Sequence, residues 1–390
     1  MKLRSIRQAK GLRGKRVLVR VDFNLPLGPN GSVADDWRIR RVAPTVDYLV
    51  KRGARVALLS HLGRPKGAER ALRMDAVSDR LDYIIKRPVR KLNDCVGPSV
   101  EGAVQALGPG EIVLLENVRF HPGEEKNDPK FARELARVAD IYINDAFAVS
   151  HRAAASVVGV TKYLPSYAGL LMEEEVKALS KLLGKPKRPF VVLIGGAKIE
   201  TKIGVIKNFL RKADSVLLGG ALVLPFIKAL HHRVGSSKVD PKEIRIAAGL
   251  IRNKKIELPV DLVVETMRRT PAVRWIDKVG VGETIYDIGP ETIRRYAEIL
   301  RRAETIVWNG PLGKFEEKRY SHGTIALGRF VATRSKGPAF GVVGGGETIQ
   351  ALKLTKMEEY VDFISTGGGA MLEFLEGKML PGIKPLVDRL

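Results

Sequence analysis

An α/β fold with parallel sheets follows from three features of the sequence. Short runs rich in Val, Ile and Leu recur along the chain, and stretches long enough for a helix separate them. Within each run the apolar residues are consecutive, as in strands covered on both faces. At 390 residues the chain exceeds the size at which one hydrophobic core keeps growing, so two domains are expected.

In chain order the predicted strands are RVLVRV at 16–21, RVALLS at 55–60, EIVLLE at 111–116, DIYIND at 140–145, FVVLIG at 190–195, SVLLGG at 215–220, TIVWNG at 305–310, AFGVVG at 339–344 and VDFIST at 361–366. Between the fourth and fifth lies LPSYAGLLMEEEVKALSKLLGKP, with a turn signal at Pro165 followed by a helical pattern. There Met172, Val176, Leu179 and Leu183 recur at i, i+4, i+7 and i+11 and make one apolar stripe. The expected architecture is two Rossmann-like lobes joined by a hinge helix. The first lobe covers 1–165, the helix 166–185 and the second lobe 186–375, and 376–390 is expected to return to the first lobe.

Composition removes several function classes. Apolar residues make up 45% and charged residues 28%, a globular mix. No stretch approaches 18 consecutive apolar residues, and the N-terminus lacks the apolar block of a secretory signal, so a cytoplasmic location without a membrane partner is expected. The lone Cys95 can form neither an internal disulfide nor a cysteine metal cluster. A formal charge of +24 invites a nucleic-acid reading. Residues 1–170 hold 30 basic and 18 acidic side chains and residues 171–390 hold 37 and 25, so each part carries +12 and there is no basic tail. With 6% aromatics and no stacking or helix-turn-helix pattern, a general attraction for small anions is the better inference, and no specific nucleic-acid partner is expected.

In open α/β sheets ligands sit beyond the carboxyl ends of the strands. Before residue 160 those ends are rich in Asp, Asn, His and Arg: VDFN, SHLGR, ENVRF and SHR. After residue 190 they are rich in Gly: GGAK, GGA, NGPLG, GGGET and TGGGA. One half is suited to gripping a small acidic molecule with side chains, the other to presenting backbone N–H groups to phosphates. Any single Arg here could be a surface ion pair, any single His a core histidine, and either Gly cluster a tight turn. Their recurrence at strand ends favours function. Lys198 and Lys202, four residues apart, are expected on one face of the helix after the fifth strand, where either can reach a phosphate. Neither a GxxxxGK[ST] loop nor a strand-linked GxGxxG with a following acidic residue is present.

The motifs RVDFNLP, SHLGRP, ENVRFHPGEE, AGLLMEEE, GGAKIETK, WNGPLGKFE, GGGET and STGGGAMLEFLEGK run in order from residue 20 to residue 378. In this series the chain resembles the phosphoglycerate kinases. The resemblance implies in-line phosphoryl transfer between 1,3-bisphosphoglycerate and ADP, giving 3-phosphoglycerate and ATP, with Mg2+ or a similar divalent metal, in a monomer whose lobes close over the ligands. Another nucleotide-dependent phosphotransferase acting on a small acidic substrate is the alternative.

The resemblance also carries site residues. Asp22, Asn24, Arg38, His61, Leu62, Gly63, Arg64, Arg119, His151 and Arg152 match the substrate positions, with Arg38 also stabilising the transferring group. Lys198, Lys202, Gly219, Glu316, Gly344, Gly345, Gly346, Glu347 and Thr348 match the nucleotide positions. Among these Lys198 and Gly345, together with Gly368, match catalytic positions, and Gly367, Gly368 and Gly369 are expected to open a helix. Glu347 is the implied metal contact. The chain departs from the family pattern by having Glu347 for the usual aspartate, Lys314 for a common valine, and Ile285 where relatives often carry glycine.

Overall fold

The computed structural model describes residues 1–388, and all nine predicted strands are present in it, each within a residue or two of its expected limits. The chain divides into two compact units, Met1–Lys177 with the segment that begins at Met379, and Ala178–Lys378.

In the first unit β1 (Arg16–Arg20), β2 (Arg55–Leu59), β3 (Val89–Lys91), β4 (Ile112–Leu114), β5 (Ile141–Asn144) and β6 (Ser166–Ala168) form a parallel sheet of order β3-β4-β2-β1-β5-β6. Both of its faces are buried. Val17, Val19, Val56, Leu58, Ile141 and Ile143 enter one core, and Leu18, Ala57, Leu59, Val113 and Tyr142 the other. The period-two alternation of strand side chains thus feeds two cores, which is why each run reads as uninterruptedly apolar. Helix Trp37–Val50 covers the first face with Ile39, Val42, Val46 and Leu49. Helix Pro129–Arg137 covers the second with Phe131, Ala132, Leu135 and Ala136, and starts where Asp128 accepts the Phe131 N–H at 2.8 Å. Each large aliphatic side chain buried in this way stabilises the fold by about 1.5–3 kcal/mol. The last segment joins this unit through Arg4 N–H to Leu386 O at 2.8 Å and Gly382 N–H to Ser150 O at 2.8 Å.

The second unit holds β7 (Phe190–Ile194), β8 (Ser215–Leu218), β9 (Ile256–Glu257), β10 (Asp261–Glu265), β11 (Pro271–Trp275), β12 (Thr284–Ile288), β13 (Thr305–Asn309), β14 (Phe340–Gly344) and β15 (Phe363–Ser365). Six of these make a parallel sheet of order β15-β14-β13-β7-β8-β9. The other three form an antiparallel sheet of order β11-β10-β12, which the pattern of apolar runs does not predict. In each parallel sheet the connections reverse direction beside one strand, β1 in the first and β7 in the second, and ligand crevices of such sheets open at that place.

Helix Leu170–Leu183 contains the boundary between the units. Of the expected stripe, Met172, Val176 and Leu179 are buried, but the next buried position is Leu182 while Leu183 is half-buried. Three residues beyond Leu179 stops about 60° short of a full turn and four overshoots by about 40°, so both positions fall on the same side of the helix. Among the described residues no helix is long and apolar enough to cross a membrane.

Candidate functional site

In the first unit the loops leaving β1, β2, β4 and β5 bring together side chains far apart in sequence. Asp22, two residues beyond β1, is buried, and one of its oxygens accepts from the Arg38 guanidinium. The other accepts the Asn24 N–H at 3.2 Å and lies 3.9 Å from His61 Nδ1. Asn24 accepts the Gly63 N–H at 2.8 Å, and Arg119 donates to Gly63 O at 2.6 Å. Leu62 is held by the buried Asn117, which accepts its N–H at 3.1 Å and donates to its carbonyl at 2.8 Å. Arg119 and Arg152 approach Glu125 at 3.4 and 4.0 Å. His151 beside Arg152 is half-buried, and Arg64 is exposed.

Arg20 is not among the residues that the strand-end reading selects, yet it belongs to this cluster. It ends β1 at 2% exposure, donates from Nε to Ser156 Oγ at 2.7 Å and lies 3.3 Å from His61 Nδ1 through Nη2. Ser156 donates on to Glu124 at 2.6 Å. A cleft of about 340 Å³ is lined by Arg20, Arg119, Arg152, Glu124 and Glu125 among others. Burial, and then the guanidinium groups of Arg20, Arg119, Arg38 and Arg152, hold the His61 imidazole well below its ordinary value. The ring is therefore neutral at pH 7 and can serve as one donor and one acceptor. Four guanidinium groups around one buried neutral ring make a field that suits a ligand carrying both phosphate and carboxylate.

In the second unit a cleft of about 360 Å³ is lined by residues that include Gly196, Gly220, Ile285, Gly313, Glu316 and Glu347. Gly219 is where the chain passes Leu312, whose Cδ2 would lie 2.5 Å from an added Cβ. At Gly344 an added Cβ would meet Met371 Sδ at 2.0 Å. Gly345 has φ +99°, a conformation glycine adopts without cost. Thr348 Oγ1 accepts the Gly310 N–H at 2.7 Å, and Asn309 donates to Gly344 O at 2.8 Å, tying the loops after β13 and β14 together. Glu347 is exposed in the first turn of helix Gly346–Thr355. Gly368 caps helix Gly369–Leu375, so the expected glycine-led helix start is present.

The expectation for the two lysines needs correcting. The helix after β7 begins at Ile203, with Lys202 as its N-cap, and Lys198 lies exposed in the preceding bend, so the pair does not share a helical face. The glycines at 195–196 prolong the loop, Gly196 with φ +103°, and the turn closed by Lys202 N–H to Ile199 O at 2.9 Å takes up the intervening residues. Lys202 instead turns back, its ammonium donating to Gly195 O and, at 3.3 Å, to Asn309 O. Burial lowers its pKa to about 8, with the Glu347 carboxylate acting in the opposite direction. Lys314, a departure from the family pattern, is engaged by Glu317 at 2.5 Å.

Asp287 is a further wall residue of this cleft, inside a segment whose sequence gives no strand-end signal. It is buried, and accepts the Ile288 N–H at 2.9 Å and the Gly323 N–H at 2.8 Å. Burial raises its pKa from 3.8 to about 7 despite those two hydrogen bonds. A carboxyl raised on folding binds its proton more tightly in the folded state, so its effect on stability becomes less favourable as pH climbs from about 4 to about 7. Unfolding free energies of the protein and of Asp287→Asn, measured with denaturant at pH 5, 6 and 7, should therefore converge or cross in the variant's favour with rising pH. A constant difference would mean that this carboxyl does not change protonation in that window.

The phosphoglycerate kinase family profile matches residues 6–378. The phosphoglycerate kinase of Moorella thermoacetica is 49% identical over 387 residues, covering 97% of this chain and 98% of that protein. That of Dictyoglomus turgidum is 46% identical over 386 residues, covering 97% of each. Among solved structures, phosphoglycerate kinase from Coxiella burnetii superposes with a TM-score of 0.86 at 39% identity, covering 99% of each chain. The enzyme from Pyrococcus horikoshii OT3 superposes with a TM-score of 0.88 at 30% identity over 98% of each.

Proposed function

The chain belongs to the phosphoglycerate kinase family, and on that premise we propose that the arginine-rich cluster of the first unit takes the glycerate substrate while the glycine-lined cleft of the second takes the nucleotide. The reaction is reversible phosphoryl transfer between 1,3-bisphosphoglycerate and ADP, giving 3-phosphoglycerate and ATP. The bond from phosphorus to the acyl oxygen breaks, and one forms to a terminal oxygen of ADP. That oxygen is already anionic, so no general base is required, and catalysis rests on positioning and charge.

The observation that carries the division is the set of four guanidinium groups around the neutral His61. In this reading Arg64, Arg119 and Arg152, with His61 and His151, hold the phosphate and carboxylate of the glycerate. Asp22 and Asn24 meet its hydroxyl, Leu62 and Gly63 supply backbone, and Arg38 faces the migrating phosphoryl. In the second unit Lys198 neutralises charge on that group and Lys202 holds the phosphates through its one remaining proton. Gly219 and Gly344–Gly346 bring backbone close to the phosphates, Glu316 meets the ribose, Thr348 fixes the loop, and Gly368 borders the transferring group.

Glu347 fits a magnesium contact, because one exposed carboxylate can share the ion with phosphate oxygens and waters. Bound with the nucleotide, Mg2+ would supply neutralisation of phosphate charge. We propose a monomer that acts on these small molecules.

Formation of ATP from 1,3-bisphosphoglycerate and ADP, followed by a coupled assay over a magnesium titration, tests the reading. ATP should appear, and Glu347→Gln should raise the KM for metal-nucleotide by several-fold, about 1 kcal/mol, while leaving the dissociation constant of 3-phosphoglycerate unchanged. Absence of ATP would refute the function, and equal losses for both ligands would remove Glu347 from the metal site.

A further inference from the structure

The first unit carries a second set of ligating groups, outside the arginine cluster. Asp94 and Cys95 lie in the loop after β3, and His121 follows the short turn Val118–Phe120 after β4. One donor atom from each of Asp94, Cys95 and His121 lies within 4.8 Å of the other two, and no other trio of His, Cys, Asp or Glu meets that criterion among the described residues.

The donors are preset by their surroundings. The His121 ring stacks on Phe131, with centroids 4.9 Å apart and planes at 22°, and its Nε2 lies 2.7 Å from Asp94 Oδ1. Asp94 is fixed from its backbone, whose carbonyl accepts the Glu116 N–H at 3.3 Å. The thiol of Cys95 is buried, but the side chains beside it are reachable, with His121 31% and Asp94 51% exposed. Burial, and then the negative charges of Asp94, Glu124 and Glu116, push the Cys95 thiol well above its ordinary value. In a chain of net charge +24 this spot is therefore an acidic one, and a metal bound there has to displace the thiol proton.

Sulfur, imidazole nitrogen and carboxylate oxygen are the donors of a tetrahedral zinc site, at about 2.3, 2.0–2.1 and 2.0–2.2 Å from the ion. Those bond lengths place ligand atoms about 3.5 Å apart, so separations of up to 4.8 Å need to close by about an ångström. His121 Nε2 and Asp94 Oδ1, now 2.7 Å apart, exchange their direct contact for the ion, and both side chains that have to rotate are partly exposed. Magnesium, which prefers oxygen donors in octahedral geometry, does not match the set.

We propose that Asp94, Cys95 and His121 form a site for one thiophilic divalent cation of the zinc class, completed by water. Its occupancy ties the loop after β3 to the segment that carries Arg119 two residues away.

Cobalt(II) is the probe, titrated into the chelator-treated full chain with excess Mg2+ present. One Co2+ per chain should bind and give a thiolate-to-cobalt charge-transfer band with the visible absorption of a tetrahedral site, and magnesium should not displace it. His121→Phe keeps a ring on Phe131 but removes the donor, and Asp94→Asn changes an exposed carboxylate. Each should weaken Co2+ binding at least tenfold, and Cys95→Ser should abolish the charge-transfer band. If Cys95→Ser does not fold, the other two variants decide. No charge-transfer band in the unmodified protein, or Co2+ affinity unchanged in both His121→Phe and Asp94→Asn, overturns the proposal.

Discussion

Replacing Arg38 by alanine is expected to lower turnover by roughly 100-fold or more, the scale, about 2.7–4 kcal/mol, on which a preorganised charge stabiliser acts. Arg38 is a partly exposed cation held against the buried Asp22. The truncation therefore has a second consequence, since it strands a carboxylate that retains the Asn24 N–H and the neighbouring His61 but no cation of its own on that oxygen. Breaking one side of a buried pair costs about 3–5 kcal/mol where compensation is absent, and less here because Arg38 is 30% exposed. Two further variants separate the effects. Arg38→Lys keeps the charge but not the two-pronged donor, and should recover stability more than turnover. Asp22→Asn combined with Arg38→Ala removes the stranded charge, and should restore the denaturation midpoint while leaving turnover low. Steady-state ATP formation and urea unfolding measured on the same preparations check this. Near-normal turnover in folded Arg38→Ala would assign charge stabilisation to another group.

Nine of the twelve parallel strands are legible in the sequence because they are buried over most of their length, and hydropathy registers that without reference to a partner. The other three, β3, β6 and β9, of three residues or fewer and with half-buried or exposed positions, give no such run. The hairpin of β10 and β11 escapes the same criterion. Its strand Pro271–Trp275 alternates exposed and half-buried positions, and the reversal is closed locally by Thr266 N–H to Thr270 O, with Arg269 at φ +57°. A search for apolar runs separated by helix-length gaps passes over such a hairpin. Arg20 and Asp287 escape for a related reason, because both sit within strands rather than after them. The usable signal is the anomaly itself. A charge in a buried strand is costly unless it is partnered, so the Arg in RVLVRV and the Asp in TIYDIG each mark a buried polar network in the sequence alone. Lys198 and Lys202 show the opposite error: a spacing of four suggests one helical face, but the GG immediately before them favours a longer loop.

Two glycines with no structural reason to be glycine support the sharpest expectation for the nucleotide unit, and a third sets the contrast. At Gly195 an added Cβ would lie 2.0 Å from Pro311 O, a backbone atom that cannot step aside, so Gly195→Ala should cost several kcal/mol and lose nucleotide binding together with the fold. Gly346 and Gly368 differ. A Cβ at either would meet nothing within 4 Å, neither residue has positive φ, and Gly346 is the first residue of its helix, where alanine is favoured by up to about 1 kcal/mol. Packing therefore gives no account of either glycine, and open space beside the GGGET and TGGGA loops is what ligand phosphate would occupy. Gly346→Ala and Gly368→Ala should each unfold within about 0.5 kcal/mol of the unmodified protein or slightly later. Each should nonetheless weaken productive nucleotide use, read as kcat/KM, by about tenfold, or 1.4 kcal/mol. If the two act independently, the double variant should lose on the order of 100-fold. Binding of 3-phosphoglycerate, measured by calorimetry, should not change in any of the three. Stable variants with unaltered kcat/KM for nucleotide would show that the space beside these loops is not used by the ligand, and the cradle would then have to be sought at Gly196 and Gly220 instead.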